Sequence, residues 1–390
     1  MENFNFYSPT YFSFGTGSEA NIGNLVKRFG GTKVLLHYGG GSVKKNGVYD
    51  AAVSSLTASG IPFIELGGVK PNPRSGLVYE GIELCRKNNV DFILAIGGGS
   101  AIDSAKAIAL GVPYDGDFWY FYSNPVEVEN ALPVGTVLTI AAAGSEGSPD
   151  TVITHENGML KWAAHGDALR PKFSILNPQY TTTLDAYQTA AGITDIMAHI
   201  LERYFTNTND VETTDCLCEG LLRALVVESP KVMANLADYQ ARANIMWAGM
   251  VAHNNICGVD RMQDWASHMI EHLLSSVFDV THGAGLAVVF PAWMQYVVKH
   301  DPARFARLAS VVWGCKLNPE NLEETALEGI ARFKNFLRSI GMPLTLGELG
   351  VKESDIGKLI DQAKIGGEIA LGNFVPLGEK DVTEIFRLAL

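Results

Sequence analysis

Two hydrophobic rhythms divide the chain. Up to about residue 182, short apolar runs of strand length alternate with stretches of helical period. The runs at 33–38 (KVLLHY), 61–66, 91–96, 136–140, 152–155 and 173–176 predict strands, and helices are expected at 18–28, 43–59, 74–88 and from near Ser100. Alternating aromatics at Tyr11, Phe12 and Phe14 add an opening strand or hairpin. Strands separated by helices of this length signify a parallel sheet covered on both faces. Beyond Thr182 the 3.6-residue period takes over, predicting helices at 187–205, 213–229, 240–255, 263–278, 285–300, 303–312, 323–339, 353–366 and 380–388. An α/β domain over 1–182 and an all-helical domain over 183–390 are therefore expected, with no long linker between them.

Length and composition fit that division. At 390 residues the chain is long for one core, and 47% apolar content with 40 glycines describes a folded protein with many tight turns. A formal net charge of -12 argues against nucleic acid or an anionic membrane as partner, since both call for clustered Lys and Arg. The opening MENFNFYSPT lacks a basic segment followed by an apolar one, and no apolar run approaches the ~20 residues of a membrane span, so a cytoplasmic location is expected. Five scattered cysteines without a Cys-x-x-Cys pair look like reduced thiols; Cys216 and Cys218, two apart in a helical stretch, point in different directions.

The chemistry concentrates between Asp195 and His282. TDIMAHILE places Asp195 and His199 four apart, WASHMIEHLLS does the same for His268 and His272, and His282 follows ten residues later. On a helix each pair stacks on one face, about 6 Å apart at Cβ. Five of the nine histidines lie between 199 and 282, in segments apolar enough to be buried. Buried imidazoles and carboxylates are costly without partners, and one metal ion would satisfy several together. Asp195, His199, His268 and His282 offer one carboxylate oxygen and three imidazole nitrogens, a set suited to Fe²⁺ or Zn²⁺ that leaves a coordination position open for catalysis. Ordinary core histidines are the alternative.

A second constellation lies in the α/β half. Gly97, Gly98, Gly99 and Ser100 stand between a strand and a helix start, where glycines let a phosphate approach the free N–H groups of a helix N-terminus. It is not the usual Gly-x-Gly-x-x-Gly, because Ile102 holds the last glycine position. Gly39, Gly40, Gly41 and Ser42 repeat the arrangement after the strand at 33–38. Two such loops favour a dinucleotide over a bare turn. No carboxylate ends that strand to grip a ribose 2′-hydroxyl, while Lys44 and Lys45 follow, which favours NADP(H) over NAD(H). A third loop, TIAAAGSEGS, offers Thr139 and Ser145 as hydroxyl donors; Lys161 could meet a phosphate or ribose, or be a solvated strand residue.

With the strand-GGGS-x-x-D pattern ending on Asp103, the Gly-Ser-Glu segment and the Asp, His, His, His set, the chain resembles the iron-containing, or group III, alcohol dehydrogenases, in their butanol dehydrogenase and NADPH-dependent aldehyde reductase branch. The resemblance runs through YGGGSVKKNGVYD, GGGSAIDSAK, AGITDIMAHILERYF, DWASHMIEHLLS and THGAGLA. It implies a dinucleotide-binding first domain, a metal-binding and catalytic second one, the same four metal ligands, and a homodimer. It places His272 near nicotinamide and substrate rather than on the metal, as a proton relay or a packing residue, and puts Gly39 where an Asp in relatives favours NADH. Two departures bear on the site: Ala143 replaces a threonine expected near the nicotinamide, and Ser148 an asparagine on the substrate side; Asn177 and Asp185 replace a common Asp and Pro. The implied reaction is reversible hydride transfer between NAD(P)H and primary alcohols or aldehydes. A glycerol or diol dehydrogenase, or a metal- and nucleotide-binding module without activity, are the alternatives.

Overall fold

Short β-branched and aliphatic runs bounded by glycine or proline become buried parallel strands. The computed structural model describes residues 1–365 and 367–390. Its strands β1 (Tyr11–Phe14), β2 (Val34–Tyr38), β3 (Phe63–Leu66), β4 (Phe92–Gly97), β5 (Val134–Leu138) and β8 (Phe173–Leu176) form a six-stranded sheet in the order β1-β8-β5-β4-β2-β3. Every pairing in it is parallel, and the crossovers up to β5 are helical: α1 (Ile22–Arg28), α2 (Ser42–Lys45), α3 (Val48–Ala58), α4 (Ser75–Asn88), α5 (Gly99–Gly111) and the short α6 (Tyr120–Ser123). The central strands β2, β4, β5 and β8 are buried along their whole length, as a sheet covered on both faces requires.

Two expectations change here. The helix expected over 43–59 is broken, because Gly47 adopts a left-handed φ of 80° between α2 and α3. The run at 152–155 belongs to β6 (Asp150–His155), which pairs antiparallel with β7 (Leu160–His165) in a separate two-stranded hairpin, outside the parallel sheet.

The helices beyond are α7 (Ala186–Tyr204), α8 (Glu212–Ala234), α9 (Tyr239–His253), α10 (Ala266–Phe278), α11 (His282–Val297), α12 (Pro302–Trp313), α13 (Leu322–Ser339), α14 (Ile356–Lys364) and α15 (Glu379–Leu388). The expected helix at 353–366 opens as a 3₁₀ turn, Glu353–Asp355, and its last residue, Gly366, lies outside the described residues. Proline is tolerated inside α8 at Pro230 and inside α11 at Pro291, so two helices run through residues that usually stop them.

The chain divides into two compact units. One comprises Tyr7–Leu184 with Leu236–Asn254, the other Met1–Phe6, Asp185–Asn235 and Asn255–Leu390. The main boundary falls near residue 184, but α9 goes with the α/β unit, where Met246 and Met250 join the core beneath α5 and β4. A hydrophobic period shows that a helix is half-buried; it does not show which core the buried half enters. Among the described residues, no helix is long and apolar enough to cross a membrane.

Candidate metal centre and nucleotide loops

In the helical unit, α7 carries Asp195 and His199, α10 carries His268 and His272, and His282 is the first residue of α11. One ligand atom each from Asp195, His268 and His282 lies within 4.8 Å of the others. Asp195 Oδ1 is 3.9 Å from His268 Nε2 and 3.6 Å from His282 Nε2. His199 approaches the same oxygen through Nδ1 at 3.1 Å, and its ring lies 4.6 Å from that of His268. His272 stands at the edge, half-buried, its ring 5.6 Å from that of His282.

Close approach of α11 to α7 depends on glycine. A Cβ on Gly283 would overlap the backbone carbonyl of Ala191 on α7, and one on Gly285 would lie 2.6 Å from Glu271 Oε1. The Ala191 carbonyl is backbone and cannot step aside. Gly283→Ala is therefore expected to cost about 1–3 kcal/mol of stability and to lift His282 away from Asp195. A thermal melt paired with metal titration checks this; a variant with unchanged melting and metal affinity would show that the contact is slack.

Polar bookkeeping tests whether a cation fits. His268 Nε2 is buried with no hydrogen-bond partner, and Asp195 Oδ1, beside it, is buried with only the His199 Nδ1 approach to satisfy it. Native proteins rarely leave such atoms unsatisfied, and these two face each other as lone-pair donors. Burial and the nearby imidazoles of His199 and His282 hold the His268 ring well below the usual histidine range, so it is neutral at pH 7 and able to ligate. Burial alone would raise the Asp195 carboxyl, but His199 and His282 outweigh it and hold it far below the usual carboxylate range. A neutral imidazole and an ionised carboxylate are what a divalent ion takes, and the residues fit it.

Sequence reasoning missed two buried carboxylates behind this cluster. Glu202 accepts from His268 Nδ1 at 2.8 Å, and Glu271 accepts from His282 Nδ1. Burial pushes Glu202 up to about 7 against the backbone N–H groups of His268 and Trp265 that donate to it. Trp265, at the start of α10 with φ 70°, walls the cluster with its ring 5.1 Å from His268 and 5.9 Å from His199.

In the α/β unit the two glycine loops are neighbours. β2 and β4 pair directly, Tyr38 opposite Ile96, so Gly39–Gly41 with Ser42 and Gly97–Gly99 with Ser100 emerge side by side at their carboxyl ends. Here the strand order reverses, with β3 on one side and β5 on the other, which is where open α/β sheets bind ligands. Thr139, just past β5, is tied to the same place by its N–H to Gly97 O at 3.0 Å. A Cβ at Gly40 or Gly41 would meet nothing within 4 Å, and neither has a left-handed φ. The protein's own packing does not require glycine there, which leaves room for a ligand. At Gly98, by contrast, a Cβ would overlap the Ile140 side chain.

Asp103 and Ser145 face each other across this region. Ser145 Oγ donates to Asp103 Oδ1 at 2.5 Å, and Val152 N donates to Oδ2 at 3.1 Å, so Asp103 holds the loop that carries Ser145. Lys106, absent from the sequence candidates, is fully buried and donates to the carbonyls of Ser145, Ser148 and Asp150 at 2.7, 2.9 and 2.8 Å. The charged pair Asp103 and Lys106 in the otherwise apolar AIDSAKAIAL was the available signal. Lys161 lies on β7, largely buried, opposite Thr154.

A dinucleotide-type sheet in one unit and a carboxylate–imidazole cluster in the other are the parts of a metal-dependent dehydrogenase. The chain belongs to the iron-containing alcohol dehydrogenase family: residues 9–178 match its main domain and 189–390 its C-terminal domain. NADH-dependent butanol dehydrogenase A of Clostridium acetobutylicum is 41% identical over 388 residues, covering 99% of each chain. The NADPH-dependent aldehyde reductase YqhD of Escherichia coli is 35% identical over 95% of each. The crystal structure of NADH-dependent butanol dehydrogenase A from Thermotoga maritima superposes with a TM-score of 0.96 at 42% identity, covering 100% of this chain and 99% of that one. The protein is an NAD(P)H-dependent alcohol and aldehyde oxidoreductase.

Proposed function

We propose that the protein reduces short- and medium-chain aldehydes such as butanal to primary alcohols, reversibly, with NADPH preferred over NADH and one Fe²⁺ or Zn²⁺ held by Asp195, His199, His268 and His282. The observation that carries this reading is the buried Asp195 Oδ1 on which nitrogens of His199, His268 and His282 converge, with His268 Nε2 buried and without a hydrogen-bond partner. When bound, the ion supplies Lewis-acid polarisation of the substrate oxygen, and the nicotinamide gives or takes a hydride. The chain's own residues do the rest. Backbone N–H groups of Gly40, Gly41, Ser42, Gly98, Gly99 and Ser100 cradle the pyrophosphate, aided by the N-terminal dipole of α5. Asp103 and Lys106 hold the loop bearing Ser145, which with Thr139 and Lys161 contacts the cofactor. His272 passes a proton from solvent to the substrate oxygen during reduction, and back to solvent during oxidation, a task suited to imidazole near neutral pH.

The NADPH preference rests on Gly39. No carboxylate ends β2 itself, and Lys44 lies one turn on, its Nζ 4.6 Å from the Tyr49 ring, while the neighbouring Glu65 carboxylate on β3 is engaged by the Tyr38 and Tyr49 hydroxyls. The curated relatives include both NADH- and NADPH-dependent enzymes. The test is oxidation of NADPH and NADH with butanal, and the reverse reaction with butanol and glycerol, in the metal-loaded protein. Turnover on butanal with a higher kcat/KM for NADPH is expected. Gly39→Asp should shift the NADPH:NADH ratio toward NADH by about tenfold or more, because like charges in contact cost at least that. Glycerol outpacing butanol would overturn the substrate reading, and an unmoved ratio in Gly39→Asp would overturn the cofactor reading.

A further inference from the structure

The sequence His-x-x-Glu occurs twice around the metal cluster, as His199-Ile200-Leu201-Glu202 on α7 and His268-Met269-Ile270-Glu271 on α10. Three residues apart on a helix, the two side chains share a side. In both copies the histidine belongs to the cluster, while the glutamate serves a histidine on the next helix. Glu202 Oε1 receives His268 Nδ1 at 2.8 Å and His268 N at 3.0 Å, and its Oε2 receives Trp265 N at 2.7 Å. It thereby caps the first turn of α10, for which Trp265 provides no side-chain cap. Glu271 Oε2 receives His282 Nδ1 at the first residue of α11, and Glu271 Oε1 receives the Ser275 hydroxyl. Both glutamates are fully buried.

Both glutamates already act as acceptors, Glu202 Oε1 from the His268 backbone N–H and Glu271 from the Ser275 hydroxyl, so Nδ1 of each ring carries the proton. A neutral imidazole then has its one lone pair on Nε2, the atom that faces Asp195 Oδ1 in both histidines. In His199 the Nδ1 proton is held locally by the Asp195 backbone carbonyl, 2.9 Å away, which leaves its lone pair on Nε2. We propose that Glu202 and Glu271 are positioning residues that work in series: α7 fixes the tautomer and angle of the ligand on α10, and α10 fixes those of the ligand on α11. The repeated His-x-x-Glu is thus one device used twice, and the glutamates tune the metal without touching it. This rests on the metal-centre reading given above.

Cobalt separates the two ideas, because Co²⁺ reports its ligands through its visible absorption. The unaltered protein, Glu271→Gln, Glu202→Gln and Ser275→Ala would be titrated with Co²⁺ against a chelator of known affinity, with NADPH fluorescence and circular dichroism recorded on each. Glu271→Gln is the cleanest change: the amide oxygen still accepts from His282 Nδ1, and the Ser275 hydroxyl can turn to suit. It should keep its fold and NADPH binding but hold Co²⁺ about 10–100-fold more weakly, with a shifted band. Glu202→Gln sets an amide N–H against one of the two backbone donors and should lose more. Ser275→Ala, which only unpins Glu271, should lose a few-fold. Folded variants with Co²⁺ affinity within twofold of the unaltered protein and an unchanged spectrum would overturn the positioning role; if neither Gln variant folds, an unaffected Ser275→Ala does so. Failure of the unaltered protein to take up Co²⁺ would instead overturn the metal reading itself.

Discussion

Asp195→Ala, purified and supplied with Fe²⁺ or Zn²⁺, is expected to carry little metal and to turn over butanal about three orders of magnitude more slowly, or worse. Lewis-acid assistance is worth several kcal/mol, and each 1.36 kcal/mol is a factor of ten in rate. Asp195 is the residue on which the cluster converges: one oxygen lies within 3.9 Å of nitrogens on His199, His268 and His282, which come from three helices. Removing it leaves three imidazoles with no carboxylate oxygen at the point between them. Because the glycine loops belong to the other compact unit, dinucleotide binding should survive with near-normal affinity. Metal analysis, NADPH fluorescence and a steady-state assay on the same preparation make the check. Full turnover from metal-free Asp195→Ala would remove the ion from the chemistry.

How far the sequence announced this arrangement differs from residue to residue. The strands at 34–38, 92–97 and 173–176 were legible because continuous aliphatic runs flanked by glycine or proline have few other readings. The β6–β7 hairpin was not, since its alternating burial resembles an edge strand and nothing local says which sheet it joins. Asp195 and His268 were picked out by four-residue spacing to a histidine on apolar helices, His282 by its place ten residues beyond His272, and the fold brings the three together. Glu202, Glu271 and Lys106 escaped the same reasoning, because a charge on a helix is by default a solvated face. Only their company could have flagged them: two His-x-x-Glu copies in one case, and an otherwise alanine- and isoleucine-lined helix in the other.

Stripping the metal is expected to lower the melting temperature of the helical unit by about 10 °C, an effect as large as most single core substitutions. An ion held with free metal a thousandfold above its Kd stabilises the folded state by about 4 kcal/mol, and a unit of this size moves by about 2–4 °C per kcal/mol. The direction follows from the charges. Asp195, Glu202 and Glu271 are each less than 5% exposed and crowd one side of three imidazole rings. A divalent cation offsets the charge of Asp195 and of the carboxylates behind it; without it that negative charge sits where water cannot screen it. Calorimetry of the chelated protein, then of the same sample reloaded, gives the comparison. Zn²⁺ should restore the original transition. Mg²⁺ should not, because it prefers six hard oxygens and keeps its own waters, whereas this cluster offers imidazole nitrogen. A melting curve indifferent to chelation would mean that the buried carboxylates are neutralised by protons alone, and the cluster would then be a polar core.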